Sequence, residues 1–312
     1  MAHARVRGAK RPLALGLALL LPLFGGNSKP ATVPAVTVVA NTSIEAHKAA
    51  IEGIQRALAA GSTAIHIANL GEAGDRVQLT PPGTRLIIVL GSEALQVVAA
   101  GRPEVPVVSA MILRPPPAAS SAGWTPAATI SLDVPVPVLL ARLKQVFPGK
   151  TRLAIIHNAA SGATAPPALP SRLQQEGFTV RVVDITGAEQ LLSAFRGLKG
   201  QTDFVWCLPD GALYNSATLK PLILASIENQ LPLIGFSESF ARAGAAVAVF
   251  PDFRDVGLQT GEVALQLLGG GAAHAVDGPR KLKIAVNQSV LRLIGLRYLP
   301  PPSGGEDFSV IP

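Results

Sequence analysis

Aromatic residues and cysteine are scarce in this sequence of 312 residues, and both shortages limit its function. Aromatic side chains make up 4% of the chain, which argues against a sugar-binding site, because such sites stack pyranose rings on tryptophan or tyrosine. The single cysteine, Cys207, excludes an internal disulfide and lies in a predicted buried strand. We interpret it as a small core residue.

Charged residues are also few, at 15% of the chain, which argues against long disordered tails. The formal net charge is +7, but four basic residues precede Leu13, namely Arg5, Arg7, Lys10 and Arg11. Subtracting these four charges from +7 leaves +3 for the rest of the chain. No basic patch remains that is typical of DNA binding, so we expect no nucleic-acid partner.

The four basic residues lead into an apolar run from Leu13 to Phe24, and no acidic residue occurs before Glu45. This order is typical of a secretory signal peptide, and the run is too short to span a bilayer comfortably. We therefore predict a signal peptide over residues 1–28 and a periplasmic protein. An uncleaved amino-terminal anchor remains the alternative.

Motifs for catalysis are absent from the sequence. It contains no Gly-x-Ser-x-Gly elbow, no phosphate-binding Walker loop, and no Gly-x-Gly-x-x-Gly after the first strand. Asp252 and Asp255 have no third ligand at metal-binding spacing, so we interpret Asp252 as a helix cap. Four histidines lack a clear serine or cysteine partner: His47, His66, His157 and His274. We expect no enzyme, metal or cofactor, and a hydrolase is the least favoured alternative.

β-Branched runs alternate with amphipathic segments along the rest of the chain, which predicts α/β architecture with parallel sheets. The first round has strands at 36–40, 64–69, 85–90 and VPVVSA, with helices at 44–60 and 92–100. A loop rich in Pro, Ala and Ser at 113–126 interrupts it, and a helix at 137–147 leads to a second round from RLAIIHN at 152–158.

The length fits two lobes of about 130 residues each. We assign residues 33–147 and about 247–276 to lobe 1, residues 148–246 and about 277–300 to lobe 2, and 301–312 to a tail.

Polar residues follow several predicted strands, where parallel sheets bind ligands. Ser92 begins a helix, so that it and the free backbone N–H groups can bind a carboxylate, or it can simply cap the helix. Ser109 and Asn158 end strands and are either cleft contacts or partners in local loop hydrogen bonds.

Three further candidates lie in the second round. Asp210 can accept hydrogen bonds from an ammonium or hydroxyl group of a ligand, or it can stabilise a turn. Tyr214 is close enough to Asp210 to add a stacking surface, and Ser237 is either a helix cap or a ligand contact.

Trp124 lies in the Pro-rich loop, before the second round. It either closes over the ligand or faces solvent.

A family resemblance extends over about residues 85–297. The segments LIIVLGSEA, RLAIIHN, DFVWCLPD, YNSATL, LPLIGFSESFARAGA, PDFRDVGLQTGEVALQLLGG and IAVNQSVLRLIGL resemble substrate-binding proteins of ABC transporters of the tryptophan/phenylalanine-binding type. The resemblance implies a type I periplasmic-binding fold, with two Rossmann-like lobes joined by three crossovers. It also implies that Asp210 faces the cleft. The family's Asp-Pro after the strand VPVV is missing here, where the sequence reads SAMILRPPP.

We therefore expect the periplasmic solute-binding component of an ABC importer. It would be a monomer that closes two lobes on a small polar ligand, anionic or zwitterionic and amino-acid-like, and delivers it to a permease in the inner membrane. The alternative is an exported sensing or partner-binding protein that serves a receptor.

Overall fold

The computed structural model describes residues 35–71, 81–113, 124–159, 174–272, 278–301 and 307–312. The predicted signal peptide and most of the Pro-rich loop lie outside these residues. Among the helices that are described, none combines the length and the apolar character needed to cross a membrane.

A first sheet of five parallel strands forms the core of lobe 1, in the order β2-β1-β3-β4-β5. The strands are β1 (Val36–Ala40), β2 (Ile65–Asn69), β3 (Leu86–Leu90), β4 (Val107–Ile112) and β5 (Ala128–Ser131). Every residue of β1 and β3 is buried, as expected for a parallel sheet that is covered on both faces. Helices α1 (Glu45–Ala60) and α2 (Ser92–Ala100) follow β1 and β3.

A second sheet of seven strands forms lobe 2, in the order β12-β11-β10-β9-β8-β6-β7. Its strands are β6 (Arg152–Asn158), β7 (Thr179–Ile185), β8 (Phe204–Trp206), β9 (Leu233–Gly235), β10 (Val247–Pro251), β11 (Leu282–Asn287) and β12 (Phe308–Ile311). All neighbours pair in parallel except β10 and β11. The sheet is therefore mostly parallel, as predicted.

Six further α-helices are described, together with a short 3₁₀ turn at Ala188–Gln190. They are α3 (Val136–Val146), α4 (Leu191–Gly197), α5 (Leu219–Glu228), α6 (Glu238–Ala243), α7 (Phe253–Leu268) and α8 (Gln288–Leu293). Helix α7 packs on the first sheet through Val256 and Ala264, whereas α3 packs on the second sheet through Leu139, Leu140 and Leu143.

Three crossovers join the lobes along the described chain. The first runs from β5 to α3, the second from β10 to α7, and the third from α7 to β11. At the second crossover Asp252 caps α7, accepting hydrogen bonds from the backbone N–H groups of Arg254 and Asp255 at 3.0 and 3.3 Å. This confirms the interpretation of Asp252 as a cap.

The observed sheets shift the lobe boundaries relative to our sequence assignment. Helix α3 and strand β10 belong with the second sheet, although residues 137–147 and 247–251 were assigned to lobe 1. The predicted tail at 301–312 includes β12, which pairs with β11. Sequence periodicity identifies a strand but does not say which sheet it joins, so such swaps occur where the chain crosses between lobes.

Candidate functional site

The carboxyl ends of β6, β8 and β9 are neighbours in the second sheet, and they place four of the six candidate residues on one edge of lobe 2. Asn158 is the last residue of β6 and is buried beside Ile185 of β7. Asp210 and Tyr214 follow β8, and Ser237 follows β9. The parallel arrangement thus brings these polar residues together.

Asp210 stabilises the turn that follows β8. One carboxylate oxygen accepts a hydrogen bond from the Ala212 N–H at 2.8 Å, and the Asp210 carbonyl accepts one from the Tyr214 N–H at 2.8 Å. The turn role weighed in the sequence analysis is therefore observed. A carboxylate can accept several hydrogen bonds, and Asp210 is partly exposed, so it retains acceptor capacity for a ligand.

Ser237 is the N-cap of α6. Its hydroxyl oxygen accepts a hydrogen bond from the Phe240 N–H at 3.2 Å, which is the capping role that the sequence analysis proposed as one of two. The hydroxyl hydrogen can still be donated to another group, because a serine hydroxyl is both donor and acceptor.

A cavity of about 190 Å³ lies beside Ser237, between the beginnings of α5 and α6. Three aromatic rings contribute to its wall and also pack against one another, with ring centroids 5.2 to 6.1 Å apart. The lining residues are Tyr214, Leu219, Phe236, Ser237, Ser239 and Phe240. The wall is thus mainly apolar, and Tyr214 contributes to an aromatic cluster rather than to an exposed stacking surface.

The Tyr214 hydroxyl is buried and makes no hydrogen bond of normal geometry within the described structure. Its polar neighbour is the Cys207 thiol, a weak hydrogen-bonding group. Burial raises the pKa of Cys207 to about 12, an effect that the contact with Tyr214 opposes. Burial, assisted by the nearby Cys207 and Asp210, raises the pKa of Tyr214 well above its ordinary value. Both groups are therefore neutral at pH 7.

Lobe 1 contributes Ser92 at the beginning of α2. Gly91, rather than Ser92, is the N-cap, with φ +87°, and no side chain caps this helix. Ser92 is exposed in the first turn. The capping role for Ser92 is therefore wrong. Ser92 is the first residue of the helix, in the turn whose backbone N–H groups have no partner within the helix.

His47 of α1 is a polar group at the same end of the first sheet that sequence reasoning missed. Its Nδ1 lies 3.2 Å from the Asn41 carbonyl oxygen. Because a carbonyl can only accept, Nδ1 must donate, which leaves Nε2 as an acceptor in the neutral ring. Burial lowers the pKa of His47, an effect that Asn41 and Glu93 oppose, so the ring is neutral at pH 7.

Gly91 and His47 are in close contact. A Cβ atom at position 91 would lie 3.2 Å from Cε1 and 3.3 Å from Nε2 of His47. The imidazole therefore lies beside the glycine that precedes Ser92, so an acceptor is next to the helix N-terminus. No sequence pattern indicates this contact, because 44 positions separate the two residues.

Two other candidates have local roles. Ser109 lies inside β4 rather than at its end, is fully buried, and makes hydrogen bonds to Thr129 Oγ1 at 2.7 Å and the Ala128 carbonyl at 3.3 Å. These hydrogen bonds connect β4 to β5, so we no longer assign Ser109 to the ligand site. Trp124 packs against the core cluster on the first sheet, which contradicts the solvent-facing alternative.

Most of the chain matches one known protein family. The family model described as ABC transporter substrate binding protein matches residues 35–298. The chain belongs to this family. The role of such proteins is to bind a substrate rather than to transform it, and the match spans both lobes.

One curated relative of this substrate-binding protein is distant in sequence. A tyrosine-binding protein of Clostridioides difficile (strain R20291) is 20% identical over 164 residues, 51% of this chain and 47% of that protein. The chain thus matches about half the length of this curated relative.

Two solved structures share the fold. The ligand-free, open structure of a substrate-binding protein with adhesive properties from Clostridium difficile has a TM-score of 0.68 and 19% identity, covering 88% of this chain and 98% of that one. A domain from Streptococcus pneumoniae in complex with L-Trp has a TM-score of 0.57 and 18% identity, covering 89% and 99%. These similarities confirm the predicted type I periplasmic-binding fold.

Proposed function

We propose that this protein is the solute-binding component of an ABC importer and closes its two lobes on a small anionic or zwitterionic ligand. The observation that supports this most is the placement of polar groups at the carboxyl ends of parallel strands in both lobes. Ser92 and His47 lie at this end of lobe 1, and Asp210 and Ser237 lie at this end of lobe 2.

The polar groups differ in chemistry between the lobes, which suits a ligand with two kinds of polar group. In lobe 1 the hydroxyl of Ser92 and the first N–H groups of α2 can donate to a carboxylate. In lobe 2 the carboxylate of Asp210 can accept from an ammonium group. An amino-acid-like ligand would satisfy both, and the relatives that bind tyrosine and L-Trp agree with this class.

His47 can compensate for the missing Asp-Pro in lobe 1. Its neutral Nε2 is a hydrogen-bond acceptor on lobe 1, beside Gly91, although it is not at the end of β4, where amino-acid-binding members of the family have the carboxylate. A neutral acceptor contributes less to ammonium binding than a charged one, because charge-assisted hydrogen bonds are roughly twice as strong as neutral ones. We therefore assign most of the recognition of positive charge to Asp210.

Closure follows from the division of contacts between the lobes. A ligand that touches both lobes only in the closed state binds that state more tightly and shifts the population toward it. The closed shape would then be recognised by a permease in the inner membrane. Export through the predicted signal peptide would place the protein in the periplasm.

A thermal-shift screen tests the proposal, with amino acids, small carboxylates, purines and sugars as probes. A ligand that binds only the folded state raises the melting temperature by mass action. We expect a shift with amino acids or small carboxylates. If only purines or sugars produce a shift, the proposed ligand class is wrong, and if nothing does, the sensing or partner-binding alternative gains support.

The Asp210→Asn variant then tests the role of the charge. Asparagine keeps an oxygen for the Ala212 N–H but removes the negative charge. We expect any ligand with a cationic group to bind more weakly by about 1.5–3 kcal/mol, the range for a hydrogen bond to a charged group. Isothermal titration calorimetry measures this.

The matched control is Glu228→Gln at the exposed carboxyl end of α5. It removes the same charge on the same lobe but far from the turn, and it should leave affinity unchanged. Equal affinities of the wild-type protein and the Asp210→Asn variant would remove Asp210 from the site.

A further inference from the structure

The second sheet is covered on one face by α3, by α8 and by the segment that follows α8 at 294–301. All three contribute to one core cluster, through Leu143, Leu291 and Tyr298 among others. The segment also lies against the end of α3, because the Leu299 N–H donates a hydrogen bond to the Val146 carbonyl at 2.8 Å. Helices α4 and α5 pack on the opposite face of the sheet. The outer sides of α3, α8 and the segment therefore form one surface.

This surface, the α3–α8 face, consists of the exposed side chains of residues 136–150 and 288–301. Both segments lack acidic residues, and their five basic residues are Arg142, Lys144, Lys150, Arg292 and Arg297. Arg142 pairs with Asp307 at 3.5 Å, and Lys150 pairs with Asp203 at 3.6 Å. Arg292 and Arg297 are exposed and form no ion pair with another described residue. Their positive charges are therefore available to an anionic partner.

Two leucines lie next to these arginines and are unusually exposed. Leu293 is 63% exposed and Leu299 is 56% exposed, the two highest values among the large apolar side chains of the described residues. Leu293 follows Arg292 on the outer side of α8. Leu299 comes two positions after Arg297, in a stretch where exposed and half-buried residues alternate, so both side chains point outward. The face thus presents an apolar and a basic side chain together at two places.

Exposed leucine beside arginine matches the chemistry of a lipid surface with anionic headgroups. Leucine side chains gain free energy when they leave water, and basic side chains are attracted to anionic lipids. Basic and apolar side chains together are typical of protein elements that lie in the plane of the membrane interface. A specific protein interface needs about 800 Å² of complementary shape on each partner, whereas protruding leucines can enter a fluid interface without a shaped partner.

We propose that the α3–α8 face binds the surface of a membrane that contains anionic lipids. Leu293 and Leu299 enter the headgroup region, and Arg292 and Arg297 contact the lipid phosphates. This contact goes beyond the proposed function and needs no solute. Asp210 lies at the carboxyl edge of the sheet, next to helices on its other face, so the membrane would not cover it.

A fluorescent label on the face tests the proposal in the full chain. The single native thiol, Cys207, is fully buried, and burial raises its pKa to about 12. The thiol-reactive dye acrylodan therefore labels a new cysteine selectively. We expect the emission of labelled Leu293→Cys to move to shorter wavelength with vesicles of equal parts phosphatidylcholine and phosphatidylglycerol, and to stay unchanged with phosphatidylcholine alone.

The matched control position is Leu224, which is 53% exposed on α5 and so lies on the other side of the same sheet. Labelled Leu224→Cys should show no shift with either kind of vesicle. This control separates contact through the α3–α8 face from attachment by another part of the chain, including the predicted signal peptide.

Two charge variants of labelled Leu293→Cys measure the electrostatic part. Arg297→Gln should raise the vesicle concentration for a half-maximal shift about fivefold, the contribution of one basic side chain near an anionic surface. Adding Arg292→Gln should raise it by a similar factor again, and added salt should weaken binding further. Arg56→Gln removes the same charge from an exposed position of α1 on lobe 1 and should have no effect.

The absence of a shift in labelled Leu293→Cys with the mixed vesicles would overturn the proposal, and so would an equal shift in Leu224→Cys. Equal effects of Arg297→Gln and Arg56→Gln would contradict the role of the arginine. A shift that grows with protein concentration in the absence of vesicles would assign the face to a second copy of the chain instead. Because no solute is present, these results are independent of the solute screen.

Discussion

The Gly257→Val variant is expected to lower the melting temperature by roughly 6–12 °C. Any Cβ at this position of α7 would overlap the carbonyl oxygen of Ala50 on α1, and a backbone atom cannot move aside as a flexible side chain can. Overpacking costs about 1–3 kcal/mol and occasionally more. We assume a destabilisation of about 3 kcal/mol. Each kcal/mol lowers the melting temperature of a protein of this size by about 2–4 °C.

The reason lies in how closely α1 and α7 pack. Gly53 on α1 faces the Arg254 carbonyl just as closely, and a Cβ at Gly261 would lie 2.5 Å from the Ala57 Cβ. Glycines from both helices thus let the two backbones touch. Helix α7 follows the second crossover, where the chain arrives from lobe 2. Its close contact with α1 therefore holds α7 on lobe 1.

Gly197→Ala is the matched control for this experiment. Gly197 ends α4, and a Cβ there would meet no heavy atom within 4 Å. Alanine should be neutral or slightly stabilising, since glycine in a helix costs about 0.5–1 kcal/mol relative to alanine. If both variants lowered the melting temperature equally, close packing of α1 and α7 would not explain the effect at Gly257.

The Arg280→Ala variant should lower the free energy of unfolding by about 2 kcal/mol, less than the 3–5 kcal/mol for a fully buried pair. The Asp255 carboxylate is 7% exposed and pairs with Arg280 at 3.3 Å and Lys281 at 3.8 Å. Without Arg280, the nearly buried Asp255 carboxylate keeps only Lys281, the more distant of these two partners. The cost is reduced because Arg280 itself is 43% exposed.

This ion pair joins two crossovers. Asp255 lies in the first turn of α7, after the second crossover, and Arg280 precedes β11 at the end of the third. The backbone of the third crossover also comes close to that of the first crossover, since a Cβ at Gly278 would lie 2.8 Å from the Asp133 carbonyl oxygen. The pair therefore stabilises the region where the lobes are joined.

Chemical denaturation of a double variant checks the explanation. Asp255→Asn removes the buried charge, so adding it to Arg280→Ala should restore part of the lost stability. Arg242→Ala breaks an exposed pair with Glu238 and should cost no more than about 1 kcal/mol. A double variant less stable than Arg280→Ala alone would contradict the account.

The sequence was sufficient to predict the alternation of strands and helices, because fully buried runs such as VTVVA and LIIVL are distinctive. It failed for β5, which follows the Pro-rich loop with only four residues, and for β12, in a segment interpreted as a tail. Short edge strands have little pattern of their own, and their pairing is decided by the neighbouring strand.

The candidate site could be predicted in part. Asp210 and Ser237 were selected as candidates because they follow strands, and the alternative roles considered for them, in a turn and a helix cap, are the ones that the structure shows. Their role in ligand binding stays a prediction. The contact between His47 and Gly91 was not predictable, since it joins residues distant in sequence. The cavity was not predictable either, because its wall combines residues at the beginnings of α5 and α6.

The measurement that tests the central claim most directly is small-angle X-ray scattering of the protein with and without the solute found in the screen. If two lobes close on the ligand, the radius of gyration should fall when the solute is added at saturation, and Asp210→Asn should require more solute for the same change. Saturable binding with an identical scattering curve would contradict closure as the mechanism.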